Sequence, residues 1–148
     1  MPVVRAIARP LLAASFVVGG VDTLRNPGPR VPAADRVVGP LIARVPYLST
    51  TEQVVKLDAA MKLAVGTMLA LGKLPRLSSV VLATSLVPTT VAGHPFWKEA
   101  DAAVRTQQRL HFLKNAGMLG GLILAAVDTE GRPSLAWRAR HRTPTPTR

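Results

Sequence analysis

The sequence predicts an all-α integral membrane protein, a four-helix bundle with a short amphipathic surface helix in the first outer loop. Three observations predict it. Of 148 residues, 48% are apolar, 18% charged and 4% aromatic, whereas ordinary soluble domains run nearer a quarter charged. The apolar residues collect in four blocks, Pro10 to Val21, Leu63 to Gly72, Leu77 to Gly93 and Met118 to Val127. With their flanks these reach roughly 16 to 20 residues each, close to the length that crosses a ~30 Å hydrocarbon layer. Finally, "LSSVVLATSLVPTTVAG" has no solvated face at helical spacing, because its polar groups are Ser and Thr hydroxyls able to bond back to their own helix.

Taken in order, span one covers residues 6–24. A basic stretch with Arg5 and Arg9 precedes an apolar core, as in a signal peptide, but no A-x-A-like site follows it and three further apolar blocks do. An uncleaved span is therefore expected. In the first outer loop, Val37, Val38, Leu41, Ile42 and Val45 form one helical stripe interrupted at Gly39-Pro40, which predicts a helix lying on the membrane surface. Span two is expected at 56–72 and span three at 77–93, where Pro88 should free a carbonyl near residue 84. The second outer loop opens with Phe96 and Trp97, which suit the headgroup level, then turns helical and feeds span four at 108–127. The transmembrane domain thus covers 1–138, and the basic, Pro-Thr punctuated residues 139–148 read as a disordered tail. Ser15-x-x-x-Gly19 and Gly117-x-x-x-Gly121 are small-residue pairs suited to close helix packing.

The formal net charge is +11. Aromatics are few and the basic residues flank apolar blocks, so anionic lipid headgroups account for the charge and nucleic acid is not expected. Four spans place both termini on one side of the cell membrane. Nine Lys/Arg sit in the end segments, the start of span one and the short turn between spans two and three, against eight in the longer opposite loops and the first residues of the spans that follow them. The nine are packed closer to the span ends, which favours both termini in the cytoplasm. The chain has no cysteine, which excludes a disulfide framework, a thiolate-held iron–sulfur cluster and a thiol relay of its own.

In this topology the ionisable residues of all four spans meet at the outer end: Asp22 closing span one, Asp58 and Lys62 opening span two, His94 and Pro95 closing span three, and His111, Lys114 and Asn115 opening span four. Asp58 and Lys62 are i,i+4 neighbours, and His111, Lys114 and Asn115 share a face. A charge in hydrocarbon costs several kcal/mol unless it is paired or reaches water, so Lys62 and Lys114 call for Asp22, Asp58 or an aqueous opening. Two readings stand side by side, a structural glue of Asp–Lys pairs and a ligand-binding pocket. No H-x3-H or HExxH spacing points to a metal, and no G-x-S-x-G turn to a hydrolase.

The pieces "AGHPFW" (92–97), "HFLKN" (111–115) and "GGLILA" (120–125) resemble the DoxX family of small bacterial membrane proteins, and the "DTEGRPSLAWR" ending is similar to actinobacterial members. The resemblance implies a four-helix membrane protein working beside oxidoreductases, sulfur-transfer and superoxide-handling enzymes under oxidative stress, with His94, Pro95, His111, Lys114 and Asn115 as site candidates. Asp22, Asp58 and Lys62 rest on the topology alone. The expectation is a membrane subunit, not catalytic by itself, that anchors or recruits such partner enzymes, with no resident cofactor and with homo-oligomers as an open state. The alternatives are a binder of a quinone or small sulfur anion in the outer chamber and a small transporter.

Overall fold

The computed structural model describes residues 2–42, 50–129, 131 and 140. Among them there are five α-helices and no strand: α1 (Pro2–Arg25), α2 (Val31–Ile42), α3 (Thr51–Ala70), α4 (Pro75–Gly93) and α5 (Ala102–Val127). Three helical stretches, Val3–Arg25, Pro75–Lys98 and Ala102–Val127, are long and apolar enough to cross a membrane. The 20-residue α3 is not among them. Glu52, Lys56, Asp58 and Lys62 crowd its first three turns, and only the remainder is apolar.

Each boundary has a local cause. Thr50 caps α3, accepting a hydrogen bond from the Gln53 N–H at 3.3 Å, and Asp101 caps α5 through the Val104 N–H at 2.9 Å. The end of α3 is a Schellman turn in which Lys73 N–H reaches the Met68 carbonyl at 2.8 Å and Gly72 N–H the Leu69 carbonyl at 3.0 Å. Gly72 takes φ +68°, the left-handed conformation this turn requires. Pro75 then opens α4, where its missing N–H is not needed. Within α4 the Ser79, Thr84 and Thr89 hydroxyls donate to carbonyls four residues back, so they need no water. Pro88 lies inside α4, leaving the Thr84 carbonyl without its helical N–H.

The packing pairs α1 with α3 and α4 with α5, while α2 lies across α3 and α4. The closest helix approach is between α1 and α3. A Cβ on Gly20 would meet the Ala59 carbonyl oxygen at 2.9 Å, and one on Gly66 would meet Val17 Cγ2 at 3.1 Å. Gly121 approaches Leu12 on α1, but Gly19 and Gly117 have nothing within 4 Å. The small residue of span one that takes the contact is therefore Gly20, one position beyond the Ser15/Gly19 pair. Ala13, Phe16, Leu69, Leu82, Leu86 and Leu122 form the buried core. The outer faces are apolar as well, with Leu11 72% and Leu124 71% exposed, a surface that water does not favour and lipid does.

The predicted stripe of the first outer loop falls on α2, whose Val37 and Val38 line an open cavity. Val45 and, apart from Arg140, the tail 139–148 lie outside the described residues. α5 runs unbroken from Ala102, six residues before the expected start of span four.

Candidate functional site

The helix directions bring the C-terminal end of α1, the N-terminal end of α3, the C-terminal end of α4 and the N-terminal end of α5 together, with α2 across them. A cavity of about 570 Å³ opens there, with residues of all five helices on its walls. Phe16, Val37, Val55, Leu86 and Met118 form its apolar side, whereas Asp58, Lys62, Ser85, Thr89, Lys114 and Asn115 form its polar side.

The best-connected group is Asp58. Helical i,i+4 spacing lays Lys62 over it, and the Lys62 ammonium sits 2.6 Å from Oδ2, with the two side chains only 16% and 29% exposed. The Ser85 hydroxyl of α4 donates to the other carboxylate oxygen, and Lys62 also reaches Thr89 Oγ1 at 3.4 Å. Both Asp58 oxygens are thus satisfied within the protein, and α3 is tied to α4 across the cavity wall.

Lys114 is placed differently. It lines the same cavity but makes no ion pair or hydrogen bond with any described residue. Asp58 is held by Lys62, and Asp22, an exposed residue at the end of α1, pairs with Arg30 at 2.6 Å. Neither carboxylate that the sequence offers to Lys114 reaches it. The adjacent Asn115 donates from Nδ2 to Thr90 Oγ1 at 3.0 Å, which links α5 to α4.

His94 ends α4, its N–H bonded to the Thr90 carbonyl at 2.9 Å, and its ring lines the cavity. Its Nδ1 lies 2.7 Å from Gln108 Oε1, so Nδ1 carries a proton as donor and Nε2 is left for another group. His111 stacks on the His94 ring with centroids 5.2 Å apart and planes 27° from parallel. It braces His94 and is not part of the wall. Pro95 is buried beside His94, and Phe96, Trp97 and Phe112 pack edge to face just beyond.

Of the eight residues singled out in the sequence, Asp58, Lys62, His94, Lys114 and Asn115 line the cavity. His111 and Pro95 stand behind it, and Asp22 acts at the rim through Arg30. Ser85, Thr89, Arg30 and Gln108 escaped the sequence reading. Gln108 had a signal, since it precedes His111 by one helical turn, but Ser85 looks like every other back-bonding hydroxyl of its span. Among the described residues no three His, Asp or Glu side chains are grouped to hold a metal ion. The cavity wall carries three cationic side chains beside an apolar side, Lys62 paired with Asp58, Arg30 with Asp22, and Lys114 with no described partner. It therefore suits a small ligand with an anionic or strongly accepting head and an apolar body.

A family model described as DoxX matches residues 4–95. No curated protein and no solved structure matches the chain. The matched segment runs from the start of α1 to the His94-Pro95 pair, so it carries Asp22, Asp58 and Lys62 and ends before His111, Lys114 and Asn115.

Proposed function

Because the chain belongs to the DoxX family, a family of membrane proteins, we propose that it is a multi-pass membrane subunit that holds a small ligand, a quinone or a small sulfur anion, in this cavity on behalf of partner enzymes. In this reading α3 joins the three apolar helices as a fourth span, its charged turns lining the chamber, and α2 lies at the membrane surface. Both termini then face the cytoplasm.

The observation that carries the reading is Lys114. Lys114 is exposed on the cavity wall with no described partner, and Asp58 and Asp22 are already committed to Lys62 and Arg30, so an anionic or accepting group that enters the cavity meets an uncommitted ammonium. A bound anion or quinone oxygen would accept a hydrogen bond from Lys114. The lack of cysteine supports the partner half of the proposal, because thiol and sulfur-transfer chemistry then has to be supplied by another protein.

Thiosulfate, sulfite and a short-chain quinone titrated into the detergent-purified protein, with binding followed by calorimetry, test the reading. At least one probe should bind the wild type and bind Lys114→Met about tenfold more weakly, the equivalent of one lost charge-assisted contact of about 1.4 kcal/mol. Binding of none of them, or equal binding to the variant, overturns it. Redox and sulfur-transfer enzymes that co-purify equally with wild type and Lys114→Met in that case leave the chain as an anchor alone.

A further inference from the structure

The opposite end of the helices, away from the cavity, carries a second cationic cluster that the ligand reading does not use. The Arg5 guanidinium grips both carboxylate oxygens of Asp128, Nε at 2.7 Å and Nη2 at 2.9 Å. Arg9, one turn along α1, places Nη2 3.8 Å from the same carboxylate. Its Nη1 also overhangs the α3–α4 turn, since a Cβ on Gly72 would come within 3.2 Å of it. Arg76 donates from Nε to the Ala126 carbonyl at 2.9 Å, near the negative end of the α5 dipole. The fourth cation, Lys73, has an ammonium that meets no described residue by hydrogen bond or ion pair. Among the described residues, two arginines close on one carboxylate, and Arg76 and Lys73 add two more positive charges on the neighbouring start of α4 and the α3–α4 turn.

Their level is as telling as their charge. Arg5 lies two residues into the apolar stretch Val3–Arg25, Arg76 one residue into Pro75–Lys98, and Asp128 one residue past Ala102–Val127. Directly below them, toward the middle of the helices, Ile7, Leu11, Leu77 and Leu124 are 58–72% exposed, and Leu74 on the turn is 61% exposed. We propose that this cluster binds the phosphate headgroup of an anionic phospholipid, whose acyl chains lie along those leucines. Free phosphate has no use for the apolar strip, and a zwitterionic lipid does not answer the excess of positive charge. The bound headgroup would touch α1, the α3–α4 turn and α4 together.

Native mass spectrometry of the full chain in nonionic detergent tests this with phosphatidylglycerol and phosphatidylcholine of identical acyl chains. The wild type should retain phosphatidylglycerol preferentially, and less so as salt is raised. Lys73→Gln removes no hydrogen bond or ion pair with a described residue, so it should weaken that retention about fivefold with an unchanged melting temperature in lipid-free detergent. Lys73→Gln with Arg76→Gln should weaken it about thirtyfold at low salt, and the single variant decides the matter if the double fails to fold. Equal retention of the two lipids, or wild-type retention by Lys73→Gln, overturns the proposal. So does inorganic phosphate if it raises the melting temperature as far as phosphatidylglycerol does, since the site then belongs to a soluble anion.

Discussion

Lys62 and Lys114 enter one cavity in different electrostatic states, and that difference is measurable. Lys62 is paired, one-sixth exposed and bridged to α4. Lys62→Met leaves Asp58 partly buried with Ser85 as its remaining partner, and should cost about 1 to 3 kcal/mol in detergent unfolding. Adding Asp58→Asn should recover part of it, with a coupling on the order of 1 kcal/mol in the double-mutant cycle. Lys114→Met breaks no contact with a described residue, so its stability should stay within about 0.5 kcal/mol of wild type and its cycle with Asp58 should close at zero. The sequence alone offers Lys114 two solutions, a pair with Asp22 or Asp58 and an aqueous opening, and does not choose between them. It reads the Asp58–Lys62 pair correctly, because an i,i+4 contact depends only on helical period. It leaves the partner of Lys114 open because a contact between helices depends on how each is rotated about its axis, which no local spacing encodes.

At the scale of the helix, the α1–α3 crossing depends on two absent side chains. Gly20→Ala drives a methyl against the Ala59 backbone carbonyl, an atom that cannot swing aside, and should cost about 1 to 3 kcal/mol. Gly19→Ala, one residue earlier and facing open space, should be neutral or stabilising by up to about 1 kcal/mol through helix propensity. Melting temperatures of the two variants in one detergent decide it, and equal losses would mean that the helices do not meet at Gly20. The same contrast marks what was legible in the sequence. The apolar blocks disclosed the helices, and "HFLKN" disclosed a polar first turn on the last of them. The register of the small residues and the bond from Ser85 to Asp58 were hidden, because both are properties of a pair of helices and a single sequence shows one helix at a time. The stripe in the first outer loop was visible as a helix, whereas its position against α3 and α4 depends on the cavity it helps to close.

For the whole molecule, the absence of native cysteine makes single introduced thiols unambiguous reporters of sidedness. Thr50→Cys and Val104→Cys, at the cavity end, should react with an impermeant thiol reagent in intact cells, and Leu74→Cys, in the α3–α4 turn, should not. The opposite pattern would put the cavity on the cytoplasmic face and overturn the proposed orientation. The grip of Arg5 on Asp128 joins residues 123 positions apart, and this separation sets an order of events during biosynthesis. At about 5 to 20 residues per second, Asp128 leaves the ribosome roughly 6 to 25 s after Arg5. Throughout that interval α1 and α3 can meet at Gly20 and Gly66, while the positive charge at the head of α1 still answers to the lipid surface and helps fix which way the first helix lies. Only when α5 is complete does its carboxylate arrive to take up that charge. A ribosome stalled before Asp128 would therefore hold a chain in which α1 and α3 can already be docked while α1 and α5 are not yet joined.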